Sequence, residues 1–109
     1  MRLGSAALDS YMDQAKIARV SRALGDPTRL RIYRAIAACG EIFCGELVEK
    51  HGLTPGTISH HLKVLADASL IECRREGQFI YNRARPETIH EYTRALAKIA
   101  GKRKAASLR

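Results

Sequence analysis

Apolar positions recur at helical spacing through most of the chain and switch to alternation only after Ser69. The first helical segment, Ser5 to Leu24, carries two stripes: Leu8, Tyr11, Met12, Ala15 and Ala18 on one side, Ile17, Val20 and Leu24 on another. Two stripes need two partners, so one is expected to meet the chain's own core and the other a second subunit. In the next segment Asp26 stands as N-cap and Pro27 takes the first helical position, where its missing N–H costs nothing. Leu30, Tyr33, Ile36 and Ala37 form its expected inward side, Arg29, Arg31 and Arg34 surround the rest, and Gly40 ends it. A short strand in "EIF" and a two-turn helix in "CGELVEKHG", stopped by Gly52, come next.

The following helix is the most strongly specified. Thr54 is placed to cap it, Pro55 sits at its first position, and Leu53 can staple onto Ile58. Ile58, Leu62 and Leu65 form the inward stripe. Only "GL" separates this helix from the short one before it, so the pair reads as a helix-turn-helix. "LIECRR" and "QFIYNR" then alternate as strands about a tip marked by Gly77, with Ile71, Cys73, Phe79 and Tyr81 expected on the inner face. Pro86 opens a last helix with Ile89, Tyr92, Leu96 and Ile99 on one stripe. The order predicts a mainly α fold with a small β-hairpin: a winged helix-turn-helix with long helices added at both ends. Leu8, Tyr11, Met12 and Ala15 of the first helix, with the four stripe residues of the last, are the expected dimer interface.

At 109 residues the chain has room for one small core and no separate catalytic domain. Its net charge of +8 favours a phosphate-rich partner. The excess is uneven: residues 98–109 carry +5, so residues 1–100 are read as the domain and residues 101–109 as a basic, disordered tail. No run reaches the length of a membrane span and no apolar signal region opens the chain, which places it in the cytoplasm. Three cysteines do not make a secreted disulfide framework, and reduced thiols are expected. No nucleophile, base and orienting group occur together, and no glycine-rich phosphate loop is present, so the chain is not read as an enzyme.

The outward side of the helix after Thr54 carries Gly56, Thr57, Ser59, His60 and Lys63. Short and hydrogen-bonding side chains let a helix enter the major groove deeply, where bulky ones would hold it away. Thr57, Ser59 and His60 can bond base edges or phosphates, and Lys63 suits a phosphate. Arg74, Arg75 and Gln78 surround the hairpin tip and suit phosphate or minor-groove contact. His61 completes the candidate set from the flank of the apolar stripe, where partial burial and a structural hydrogen bond are the expectation.

"ALGDPTRLRIYRAI", "ELVEKHGLTPGTISHHLKVLADASLI" and "RREGQFIYNR" together resemble the ArsR/SmtB family of bacterial transcriptional repressors over about Ser21 to Arg83. The resemblance implies a homodimer joined through its first and last helices, bound to a palindromic double-stranded operator and released by a metal, metalloid or thiol-reactive signal. The chain departs from the familiar sensing patterns. Arsenic-type members carry Cys-x-Cys before an acidic residue and Leu; aligned on Glu46 and Leu47, those positions hold Phe43 and Gly45, with Cys44 between them. The zinc pattern of the last helix is represented only by Glu87, His90 and Glu91, without a second histidine. Cys39 and Cys44, at facing helix ends, are the remaining thiol candidates for soft metal or a disulfide; the plainer reading makes both small buried hydrophobes. Cys73 is expected to be packing. No cofactor is required.

Two readings of other classes stay open: a sequence-independent nucleic-acid coating protein driven by the tail, and a dimeric thiol- or metal-binding adaptor that no longer binds DNA.

Overall fold

The computed structural model describes residues 12–101. Leu8 and Tyr11 of the expected dimer stripe, and residues 102–109 of the basic tail, lie outside them. The elements run α1 (Gln14–Leu24), α2 (Pro27–Ala38), β1 (Ile42–Phe43), α3 (Cys44–His51), α4 (Pro55–Asp67), β2 (Ile71–Glu76), β3 (Phe79–Ala84) and α5 (Pro86–Ala100). The three strands form an antiparallel sheet in the order β1-β3-β2, so the hairpin is joined by the short strand before α3.

Capping chemistry sets the helix starts. The Asp13 carboxylate accepts from the Lys16 N–H at 2.9 Å, so α1 begins at Gln14 and the expected continuous helix from Ser5 does not run through this point. Asp26 and Thr54 cap α2 and α4 by accepting from the N–H groups of Arg29 and Thr57, and each is followed by proline at the first helical position. At α3 the Phe43 N–H donates to the Glu46 carboxylate at 3.3 Å, and Gly52 ends the helix in the left-handed region at φ +63. The α4–β2 connection puts Ser69 at φ +63, a conformation unusual for a residue with a side chain. It is held from two sides: Lys16 donates to the Ser69 hydroxyl, and the Thr88 hydroxyl donates to its carbonyl.

Val20, Ile32, Ile36, Leu47, Ile58, Leu65 and Leu70 are fully buried at the centre of these elements. Each such side chain contributes about 1.5–3 kcal/mol relative to its exposed state. Met12 joins this cluster within the chain itself, so its place is in the chain's own core, whereas Ala15 and Ala18 are exposed.

Two faces differ from their sequence expectation. On α2, Ile32 and Arg29 are buried where Leu30 and Ala37 were expected; Leu30 is exposed. The helix turns this way because the Arg29 guanidinium is fully engaged: Nε donates to the Ala23 carbonyl at 2.8 Å and Nη2 to that of Arg22 at 3.2 Å. A buried charge is tolerated only with such partners. On β3, Phe79 is exposed and Tyr81 half-buried, while Asn82 is completely buried. The reason is register: the turn is Gly77-Gln78, Gly77 adopting φ +63, and it pairs Cys73 with Asn82. Cross-strand partners share a face, so the side of Ile71 and Cys73 is also the side of Asn82.

Candidate nucleic-acid interface

The α3-turn-α4 unit is joined through Gly52, Leu53 and Thr54. With Ile58, Leu62 and Leu65 buried, α4 turns Gly56, Thr57, Ser59, His60 and Lys63 outward, all exposed. The first turn of α4 is ordered without relying on a partner molecule. Thr54 Oγ1 accepts from the Thr57 N–H and donates its own proton to Thr57 Oγ1 at 2.9 Å. The Thr57 hydroxyl therefore keeps its own proton for an outside acceptor, such as a phosphate oxygen or a base-edge nitrogen. Lys63 lies on the same side with its ammonium 3.4 Å from Asp67, an exposed pairing that constrains it little.

His61 stands apart from this row. It is buried, and its Nδ1 lies 3.2 Å from Arg29 Nη1, where the guanidinium donates and the ring accepts. Burial pushes the His61 pKa below its ordinary value; Asp26 opposes the shift and Arg29 adds to it. Its role is to seat α4 on α2, and its ring does not belong to the outward row. Asp26 is held below the usual carboxylate range chiefly by the Arg29 N–H that it accepts, so capping, guanidinium and imidazole form one connected group.

The wing presents Arg75 and Gln78 freely exposed. Arg74 is occupied within the molecule: its guanidinium donates to Glu41 and Glu76, each at 2.9 Å, and lies 4.8 Å from the centre of the Tyr81 ring. Beside it Phe43 meets Phe79 edge-on at 5.5 Å. These contacts tie β1 to the hairpin and explain how Phe79 remains ordered with half its surface in solvent.

The cysteines distribute differently from the sequence expectation. Cys39 is exposed at the C-terminal end of α2, in an open cleft with Glu41, Glu46, Glu49 and Lys50, and is not a buried hydrophobe. Cys44 meets Asn82, whose Nδ2 approaches its sulfur at 3.5 Å. Cys73 is exposed as a residue and does more than pack: its thiol donates to the other end of the same carboxamide, Oδ1, at 3.2 Å. Desolvation pushes the Cys73 thiol up, with Cys44 adding to the effect. Sequence reasoning missed Asn82, Arg29 and Thr88 because each is a polar residue on a buried position; for Asn82 the signal was available in the pairing with Cys73.

On α5, Ile89 and Tyr92 lie against the core, with the Tyr92 hydroxyl 2.8 Å from that of Ser21 on α1. Leu96 and Ile99 remain exposed, Ile99 by 67%. Among the described residues no group of three or more His, Cys, Asp or Glu side chains is arranged to hold a metal, and no helix is long and apolar enough to cross a membrane.

Comparison with known proteins agrees with this geometry. A family described as a helix-turn-helix domain matches residues 24–74. The transcriptional repressor SdpR of Bacillus subtilis is 39% identical over 62 residues, covering 57% of this chain and 68% of that protein. Among solved structures, an ArsR-like transcriptional regulator from Rhodococcus sp. RHA1 superposes with a TM-score of 0.72 at 27% identity, over 79% of this chain and 80% of that one. The homodimeric winged helix-turn-helix DNA-binding domain of a Mycobacterium bovis protein gives 0.66 at 27% identity, over 95% and 94%. On these findings the chain belongs to the ArsR family of winged helix-turn-helix transcriptional regulators.

Proposed function

We propose that the chain acts in the cytoplasm as a homodimeric repressor that reads a palindromic operator, entering successive major grooves with its two α4 helices. The observation that carries this reading is the exposed row Gly56, Thr57, Ser59, His60 and Lys63 on a helix whose opposite side is anchored in the core. Thr57, Ser59 and His60 read bases, while Lys63 and Arg75 bind phosphates and Gln78 follows the backbone at the wing. Arg74 supports the wing more than it contacts DNA, because two carboxylates already hold it. Leu96 and Ile99, with the half-buried Ile89 and Tyr92 behind them, supply the apolar face that a second copy covers. No cofactor is needed for DNA binding; release follows from a metal, metalloid or thiol-reactive signal that binds the DNA-free form more tightly.

The test is affinity for DNA upstream of the protein's own gene against random duplex of equal length. A preference for the upstream DNA that is lost in H60A supports base reading by α4. Equal affinity for every duplex, abolished by deleting residues 101–109, would replace this proposal with sequence-independent coating through the tail.

A further inference from the structure

Four basic side chains outside α4 and the wing converge on one place. Arg31 and Arg34 of α2 and Lys50 and His51 of α3, with Ala35 between them, line an open cleft of about 450 Å³ that has no carboxylate among its walls. Arg31, Arg34 and Lys50 are exposed, and none of the three has a carboxylate within ion-pair distance among the described residues. Lys63, Arg74 and Arg85 each have one. His51 is half-buried, and its Nε2 is shielded from solvent without a hydrogen-bond partner. Burial pushes the His51 pKa down, and Arg31 and Lys50 push it further, so both cations stand close enough for the ring to feel their charge. Like charges gathered in a fold repel one another, and a shielded ring nitrogen without a partner lacks an acceptor. A compact anion with several acceptor oxygens meets both needs.

From this arrangement we infer that the α2–α3 cleft is a phosphate site, and that it takes a phosphate of the DNA backbone, gripped apart from the contacts of α4 and the wing. The place of the cleft in the fold favours DNA over a free anion. Lys50 and His51 are the last residues of α3, and only Gly52, Leu53 and Thr54 separate them from α4. The cleft thus stands at the end of α3 that feeds the first turn of α4, where Gly56 and Thr57 face outward. In a helix-turn-helix the second helix enters the groove while the first crosses the backbone, which brings a phosphate past this end of α3. Each guanidinium fork can hold two phosphate oxygens at once, and Lys50 adds a point charge. The placement of the DNA rests on the proposed function. What the cleft adds is a contact that reads no base and fixes the register in which α4 meets the groove.

His51 links this contact to protons. With the cleft empty, burial, Arg31 from α2 and Lys50 from its own helix all oppose the charged ring. A seated phosphate engages both cations, reverses the local charge and, after a small turn of the ring, supplies the missing acceptor. The ring therefore takes up a proton on binding, and the contact strengthens as pH falls.

The test uses the full chain, DNA from upstream of its own gene and random duplex of equal length, over a series of salt concentrations. R31Q/R34Q should bind both duplexes about tenfold more weakly at an unchanged ratio, with the slope of log affinity against log salt shallower by about two per chain. R31K/R34K, which keeps both charges, should keep the slope. Hydroxyl-radical footprinting should show one backbone protection per half-site lost in R31Q/R34Q and kept in R75A. Between about pH 7.5 and pH 6 wild type should gain affinity relative to H51Q, a comparison in which His60 and His61 cancel. An unchanged circular dichroism spectrum separates loss of the contact from loss of fold. A wild-type slope in R31Q/R34Q overturns the site, and so does a shallower slope with every protection intact, which marks a long-range field without a seated phosphate. Saturable binding of pyrophosphate that R31Q/R34Q abolishes, with DNA affinity unaltered, overturns the DNA contact in favour of a free anion. An equal pH response in wild type and H51Q overturns the part assigned to His51. Operator preference with an unchanged slope in R31Q/R34Q removes the contact and leaves reading by α4 standing; no preference in wild type, with the slope still shallower in the variant, does the reverse.

Discussion

Arg29 and His61 show how much one buried charge can organise. The guanidinium takes up the carbonyls of Ala23 and Arg22 at the end of α1, and its remaining nitrogen donates to His61 on α4. The imidazole must be neutral to accept, and burial favours that form by lowering its pKa. Because its folded pKa lies below the unfolded one, the unfolded chain binds more protons as pH falls through this window. The contribution of His61 is thus complete above about pH 6.5 and is lost as pH drops toward the folded value. His51, lowered by burial and by Arg31 and Lys50, acts in the same direction. The urea midpoint of wild type should fall between about pH 7.5 and pH 5.5, and H61Q, which keeps an acceptor for Arg29, should fall less. Equal falls in both proteins would assign the effect to His51 alone. For DNA, H60A is expected to cost about 1–3 kcal/mol and relax preference at one base position. Measured against a panel of single-base operator variants, unchanged preference would remove His60 from the reading set.

At the level of elements, the helix boundaries were the most legible part of the sequence, since Asp26-Pro27, Thr54-Pro55, Gly52 and Pro86 each act through local chemistry. Thr54 is a direct case: T54A should lower stability by about 1 kcal/mol, read as a shift in the urea midpoint at unchanged slope. It also frees the Thr57 hydroxyl from its partner, so DNA preference should weaken beyond what the stability change requires. Inward faces were legible where the stripe was wholly apolar, as on α4. They were misread on α2 and β3, where Arg29 and Asn82 are buried with partners from distant parts of the chain that no local pattern reveals. The surroundings of the cysteines were hidden for the same reason. Cys39 and Cys44 are close in sequence, but Cys44 and Cys73 each meet the Asn82 carboxamide on the middle strand, a relation that only the sheet order and register establish.

At the scale of the whole molecule, the exposed end of α5 is expected to govern assembly. L96E/I99E places two carboxylates on the apolar face and should convert a dimer to a monomer in light scattering, with operator affinity falling because two half-sites are no longer bound together. A dimer of unchanged mass would move the interface elsewhere. The charge of the molecule also divides into two kinds. Arg75 and Lys63 carry counterions that DNA phosphates can displace, whereas Arg74 has already exchanged its counterions for Glu41 and Glu76. The slope of log affinity against log salt counts only the first kind. R75A should therefore reduce that slope by about one for each chain, while R74A should leave it nearly unchanged even if the wing is weakened. An arginine on the strand of a wing can thus be silent to ionic strength, its electrostatic partners having been chosen when the chain folded.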